Sequence, residues 1–102
     1  MQYLVIFTPH ERFEADGLPP DFAEVEMRER ARARALYAEG TARQVWAQVP
    51  RAGGAVVLFE VESREHLQRS IDSFPLIEAG YAVPRIMPLQ PHAAFMPPEM
   101  VE

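Results

Sequence analysis

The chain has 102 residues, 48% of them hydrophobic and 25% charged, which is typical of one globular domain with a single core. Its formal net charge of −5 argues against a nucleic-acid partner, because phosphate-binding surfaces need clustered positive charge. The absence of cysteine excludes disulfides and thiolate catalysis, and no segment approaches the roughly 20 apolar residues of a membrane span. We therefore expect a cytoplasmic protein with no membrane partner.

The first half of the chain predicts one strand, one loop and one helix. Gln2–Thr8 is an apolar, β-branched run closed by Pro9, which is typical of a strand buried on both faces. Pro9–Pro20 lacks a helical period and is predicted to be a loop, placed where it can cover a pocket. Asp21–Glu39 predicts a helix that ends before Gly40. Its apolar residues recur at helical spacing: Phe22, Val25, Ala33, Leu36 and Tyr37.

A hairpin is predicted next. Thr41–Val49 and Ala55–Val61 are rich in strand-forming residues, and the turn chemistry of Pro50–Gly54 separates them. Gly53 and Gly54 indicate a turn and not a phosphate loop, because no helix start or P-loop lysine follows them.

The last third predicts a short helix and an edge strand. Ser63 can cap a helix that stops at Pro75. The inner stripe of this helix is predicted to hold Leu67, Ser70, Ile71 and Phe74. Tyr81–Leu89 has strand character interrupted by two prolines, which favours a sheet edge.

The resulting βαββαβ order predicts an α+β fold, namely a ferredoxin-like antiparallel sheet with both helices on one face. We expect this domain to span residues 1–92 and a Pro-rich C-terminal arm to span residues 93–102. The first strand offers apolar residues to both faces, with Val5 on one side and Leu4 and Ile6 on the other. A second subunit packing sheet to sheet would bury the uncovered face. We therefore expect a homodimer of the dimeric α+β barrel type, or a larger homo-oligomer.

One carboxylate falls inside an apolar stripe. Glu29 lies in the middle of the predicted inner face of the first helix, where desolvation should raise its pKa above the usual ~4.3. It is a candidate proton shuttle, or alternatively the partner of Arg43 or Arg85 in a structural ion pair. Glu26, at the border of the stripe, is a second candidate whose simpler interpretation is a solvated first-turn acid.

The remaining chemistry-bearing residues give weaker signals. The three histidines lack metal-ligand spacing, so no metal site is predicted. His10 follows the first strand and either lines a pocket mouth or is a solvated loop residue. Trp46 and Tyr37 are more often core residues than ligand platforms.

Several short motifs resemble the muconolactone isomerase family in order and spacing, over roughly residues 1–92. They are Glu29, Glu39-Gly40-Thr41, Arg43, Trp46, Val57-Leu58-Phe59-Glu60-Val61 and Phe74-Pro75-Leu76. The resemblance implies a ferredoxin-like subunit in a sheet-to-sheet dimer and a cofactor-free proton shift within an unsaturated lactone. It also implies that Glu29 is catalytic. We expect the small-molecule substrate to contact Arg43, Gln44, Trp46, Tyr37 and His10.

The second strand departs from the family pattern. Family members tend to read Arg-His-Leu-Trp-Arg where this chain has Arg43-Gln44-Val45-Trp46-Ala47, so a histidine and an arginine are replaced. Such groups are suited to binding a carboxylate by charge-assisted hydrogen bonds. Muconolactone is therefore expected to be a poor substrate, and a less charged lactone, enone or polycyclic intermediate becomes the better candidate.

Three functions are compatible with these residues. In an isomerase, Glu29 moves the proton while Arg43 or Gln44 stabilises the dienolate oxygen. In a non-catalytic binding or accessory protein, the pocket and the dimer persist without the reaction. A cofactor-free oxygenase or cyclase is the third, because one fold hosts several chemistries.

Overall fold

A four-stranded antiparallel sheet forms the frame of the molecule. The computed structural model describes residues 1–49 and 54–100. The strands are β1 (Gln2–Pro9), β2 (Ala42–Ala47), β3 (Ala55–Glu60) and β4 (Ala82–Leu89), and their order in the sheet is β2-β3-β1-β4. The predicted α+β fold is confirmed, as are the β2–β3 hairpin and the edge position of β4.

Four α-helices connect the strands: α1 (Phe13–Asp16), α2 (Phe22–Ala38), α3 (Arg64–Asp72) and α4 (Pro75–Glu78). Gly40 follows α2 with φ of 86°, a conformation that glycine adopts without a steric penalty. The predicted cap of α3 is confirmed, because the Ser63 hydroxyl accepts a hydrogen bond from the His66 N–H at 3.0 Å. Among the described residues, no helix is long and apolar enough to cross a membrane. After β4 come two 3₁₀ turns, Ala93–Phe95 and Pro98–Met100.

The core lies between the helices and one face of the sheet. In the register of the central pair, Tyr3 stands opposite Phe59 and Val5 opposite Val57, and all four side chains are buried. Side chains from α2 and α3 close the core from the other side: Leu36, Leu67 and Ile71. Aromatic packing continues this core toward α4.

The opposite face of the sheet is apolar and uncovered in the single chain. Leu4 pairs with Leu58 and Ile6 with Val56 across β1 and β3, and each of these side chains is partly exposed. The prediction that β1 is buried on both faces is therefore wrong for the isolated subunit. Its alternate residues Tyr3, Val5 and Phe7 are buried and the residues between them are not.

Three local predictions need correction. The predicted loop Pro9–Pro20 contains α1, whose Phe13 ring packs against Phe22 and Tyr81 at 6.0 and 5.7 Å between centroids. The helix after Ser63 ends at Asp72, so Phe74 lies in the junction to α4 and not on a helical stripe. Its ring still enters the core, 5.2 Å from that of Phe7.

The predicted turn Pro50–Gly54 lies, apart from Gly54, outside the described residues. The flanking pairing is nonetheless clear, because the Gln48 N–H donates to the Gly54 carbonyl at 3.0 Å. Tyr37, expected on the inner face of the helix, is 60% exposed because it lies beyond the edge of the sheet-facing stripe.

Candidate active site

A cavity of about 300 Å³ lies between α2 and the β2–β3 hairpin. Most of its wall is apolar, and two acids and one arginine from α2 interrupt it. The residues that line it are Phe7, Glu26, Glu29, Arg30, Ala33, Val45, Trp46, Ala47, Gly54, Ala55, Val57, Phe74 and Leu76. This volume lies at the lower end of the range of about 300–1,000 Å³ that is usual for small-molecule sites.

Glu29 is half-buried in the wall of this cavity, and its carboxylate is held by one backbone group. Its Oε1 accepts a hydrogen bond from the Leu76 N–H at 3.0 Å. Leu76 is the second residue of α4, so its N–H has no acceptor within the helix and is free to bind the carboxylate. Pro75 fixes the start of α4 and thereby aims this donor at α2.

Burial raises the pKa of Glu29 from 4.5 to about 7. Desolvation is the largest cause, the hydrogen bond from Leu76 opposes it, and the negative charge of Glu26 adds to the rise. Within the described residues Glu29 has no ion-pair partner, so neither Arg43 nor Arg85 pairs with it as the alternative interpretation required. A carboxyl group that titrates near neutral pH can both accept and return a proton under ordinary conditions.

Glu26 and Arg30 form an ion pair at the mouth of the cavity. Arg30 Nη2 donates to Glu26 Oε1 at 3.1 Å, and their side chains are 68% and 27% exposed. Glu26 is therefore not a fully solvated acid, and it keeps a negative charge near Glu29. Arg30 is the positively charged residue among those that line the cavity.

The structure distributes the predicted site residues over four places. Glu29 and Trp46 line the cavity, and Trp46 is 47% exposed on the edge strand, not in the core. Tyr37 and Gln44 line a neighbouring groove between α2 and β2.

Arg43 and His10 lie away from both the cavity and the groove. Arg43 is exposed and donates through Nε to the Gly40 carbonyl at 2.8 Å. His10 lines a separate, polar cavity beside Glu11 and Glu14, and its Nδ1 accepts from the Arg12 N–H.

Sequence reasoning missed Arg30 and the backbone of Leu76. Arg30 pairs with Glu26, four residues earlier on α2. The spacing Glu26–Arg30 is the usual helical ion-pair spacing and could have indicated this contact. The Leu76 contact spans 47 residues and leaves no local signal. In the described part of the chain, no three His, Asp or Glu side chains come together as metal ligands.

Comparison with known proteins identifies the family. A model of the muconolactone delta-isomerase family matches residues 1–94. The chain belongs to the muconolactone delta-isomerase family. The resemblance described from the motifs is thereby confirmed, and the matched region includes every residue that lines the cavity. No curated protein sequence matches the chain.

Two solved structures share the fold of this family member. A crystal structure of muconolactone isomerase superposes with a TM-score of 0.71 at 24% identity, covering 92% of this chain and 93% of that one. A 5-chloro-2-hydroxyhydroquinone dehydrochlorinase from Burkholderia phenoliruptrix, in complex with 2,5-dihydroxybenzoquinone, superposes with a TM-score of 0.64 at 12% identity, covering 88% and 94%. At these identities the likeness establishes the fold.

Proposed function

We propose that this protein catalyses a cofactor-free shift of a carbon–carbon double bond in an unsaturated lactone or a related enone. The observation that carries the proposal is Glu29, a half-buried carboxyl group with a pKa near 7 in the wall of an apolar cavity. Membership of the isomerase family supports the same chemistry.

The reaction needs one residue that moves one proton. The Glu29 carboxylate removes a proton from the γ carbon of an α,β-unsaturated lactone, and the electron pair of that C–H bond delocalises into a dienolate. The protonated Glu29 then returns the proton to the α carbon, which leaves the double bond between the β and γ carbons. A base whose pKa lies near the working pH suits both transfers. The apolar wall, which includes Phe7, Val57 and Phe74, limits access of water to the dienolate.

The dienolate oxygen needs a positive partner, and Arg30 is the residue we assign to it. Sequence reasoning gave this role to Arg43 or Gln44, but Arg43 bonds to Gly40 outside the cavity and Gln44 lies in the groove. The Arg30 guanidinium has five N–H donors, so it can bind an oxyanion while it keeps its contact to Glu26.

We also propose that the working unit is a homodimer that packs sheet against sheet. The uncovered sheet face carries Leu4, Ile6, Val56 and Leu58, all partly exposed and adjacent in the register. Burying apolar surface is favourable by about 25 cal/mol per Å², and a second copy offers a face of the same character. The cavity lies on the opposite, helix-covered side and stays open in this arrangement.

The substrate is expected to differ from muconolactone. Gln44 and Ala47 replace the histidine and arginine of the family pattern, and Arg43 lies outside the cavity, so β2 offers the cavity no cation for a substrate carboxylate. The cavity at Glu29 therefore suits an uncharged lactone or enone ring. The dehydrochlorinase neighbour shares the fold and carries out a different reaction, so the fold alone does not choose the chemistry.

A solvent-exchange experiment tests the proposed function. β-Angelica lactone, a small neutral butenolide, is incubated with the protein in deuterium oxide and followed by proton NMR. The wild type is expected to incorporate deuterium into β-angelica lactone and to convert its β,γ-unsaturated isomer, α-angelica lactone, into the more stable conjugated form. Glu29→Gln should slow both by about 10² to 10⁴-fold, the usual loss on removing a general base. Glu24→Gln, an exposed acid of the same helix, is the matched control and should retain the wild-type rate.

Three outcomes would overturn the proposal. Equal exchange in wild type and Glu29→Gln would remove Glu29 from the mechanism. Saturable binding of lactones and enones by the wild type, with neither deuterium exchange nor isomerisation of any of them, would favour the non-catalytic binding protein. Consumption of oxygen during turnover would instead indicate the oxygenase alternative.

A further inference from the structure

A second groove adjoins the cavity at Glu29. This groove has a volume of about 350 Å³ and shares three lining residues with the cavity: Arg30, Ala33 and Val45. Its other lining residues are Arg34, Tyr37 and Gln44. Because they share these residues, the two spaces adjoin each other, and we describe them together as one channel between α2 and the edge strand β2, of which only the inner end contains Glu29.

The direction of the channel follows from the two elements that form it. Along α2, the lining residues advance from Glu29 through Ala33 to Tyr37, at steps of four residues that lie on one helix face. Along β2 they run the opposite way, from Ala47 back to Gln44. At 1.5 Å per residue, Arg34 lies about 7 to 8 Å farther along the helix axis than Glu29. This separation corresponds to one additional ring beyond a lactone.

The outer end of the channel combines positive charge with polar and aromatic surface. Arg34 is exposed and makes no ion pair within the described residues, whereas Arg30 is partly neutralised by Glu26. Tyr37 is 60% exposed and offers a flat ring, and Gln44 adds an amide. The chain as a whole carries a net charge of −5, so this positive end differs in sign from the molecule around it.

We propose that this groove is a second binding subsite, which holds the anionic end of an elongated, aryl-substituted lactone or enone while its unsaturated ring lies against Glu29. Arg34 binds the carboxylate or phenolate, and Tyr37 packs against the aryl ring. This assignment rests on the proposed function, because it names the substrate class of the same site. It also explains how a pocket without cations on β2 can serve an acidic substrate, since the cation comes from α2.

The test compares two ligands that differ only in charge. The probes are a butenolide bearing a phenyl ring with a para carboxylate, and its para carboxamide analogue. Dissociation constants are measured by titration calorimetry at low and at moderate salt concentration, with no turnover required. For the wild type we expect the carboxylate to bind about tenfold more tightly than the carboxamide, the size of one hydrogen bond to a charged group.

Two arginine variants of α2 separate a local contact from general charge. Arg34→Gln should remove most of the preference for the carboxylate and leave the carboxamide affinity nearly unchanged. Arg28→Gln removes the same charge from an exposed position that lines neither space, and should keep the wild-type preference. Tyr37→Ala should weaken both probes, because the ring contact does not depend on charge.

Three results would overturn the subsite. They are equal affinities for carboxylate and carboxamide in the wild type, an unchanged preference in Arg34→Gln, or an equal loss in Arg28→Gln. These outcomes are distinct from a failure of the proposed function. Absence of deuterium exchange leaves the binding comparison intact, and absence of the carboxylate preference leaves exchange of β-angelica lactone intact.

Discussion

Replacing Glu29 by glutamine should change how stability depends on pH. The folded state raises the pKa of Glu29 from 4.5 to about 7, so folding favours the protonated form. The contribution of protonated Glu29 to the free energy of unfolding is fully present below about pH 4.5 and is lost as the pH rises to about 7. A shift of this size corresponds to at most about 3 kcal/mol, and to less where water reaches the half-buried carboxylate.

The glutamine variant lacks this pH dependence. Its amide oxygen can still accept the Leu76 N–H, while its added N–H₂ group costs about 1 kcal/mol if it finds no acceptor. We therefore expect the variant to be slightly less stable than the wild type at pH 5. At pH 8 it should be more stable by about 1 to 2 kcal/mol.

Urea unfolding at pH 5 and pH 8, at one fixed protein concentration, measures this difference. Glu24→Gln removes an exposed acid from the same helix and should follow the wild type at both pH values. If the free energy of unfolding changed by the same amount between pH 5 and pH 8 in the wild type and in Glu29→Gln, the assignment of a desolvated carboxyl group would be refuted. So would a loss of about 3 to 5 kcal/mol in the variant at pH 8, the signature of a broken buried ion pair.

The remaining predictions concern assembly, capping and substrate choice. Light scattering should give at least twice the chain mass of 11.6 kDa, and Leu58→Glu on the uncovered sheet face should yield the monomer; a wild-type monomer would contradict the sheet-to-sheet dimer. Ser63→Ala should lower the free energy of unfolding by about 1 kcal/mol, measured by urea unfolding, because the His66 N–H loses its cap. Muconolactone should be turned over slowly in a spectrophotometric assay, because Gln44 and Ala47 offer no cation; fast turnover that depends on its carboxylate would refute this view.

The sheet and its order could be predicted because their signals are local. The alternation of Tyr3, Val5 and Phe7, the two prolines of β4 and the cap at Ser63 each act within a few residues. The short helix α1 was missed because four residues carry too little periodicity, and its stability comes from Phe13 packing on distant rings. Phe74 was placed on the wrong element because its core contact does not require a helix.

The candidate site could be predicted only in part. The position of Glu29 in the middle of the predicted inner helix face indicated a desolvated acid, because the helical period alone sets which residues face the sheet. The contacts that define its surroundings are long-range. The Leu76 N–H comes from 47 residues away, and the cavity wall combines α2 with the hairpin and α4. Arg43 was expected near Glu29 because Glu29 faces the predicted sheet, to which Arg43 belongs, yet its hydrogen bond to Gly40 holds it outside the cavity.

The pH dependence of proton exchange tests the central claim most directly. Deuterium incorporation into β-angelica lactone should rise with pH and level off above an apparent pKa near 7, the value that burial gives Glu29. Glu26→Gln removes the neighbouring negative charge and should move this midpoint to lower pH, while Glu24→Gln should leave it in place. A midpoint near 4.5 in the wild type, or a midpoint that Glu26→Gln does not lower, would contradict Glu29 as the group that moves the proton.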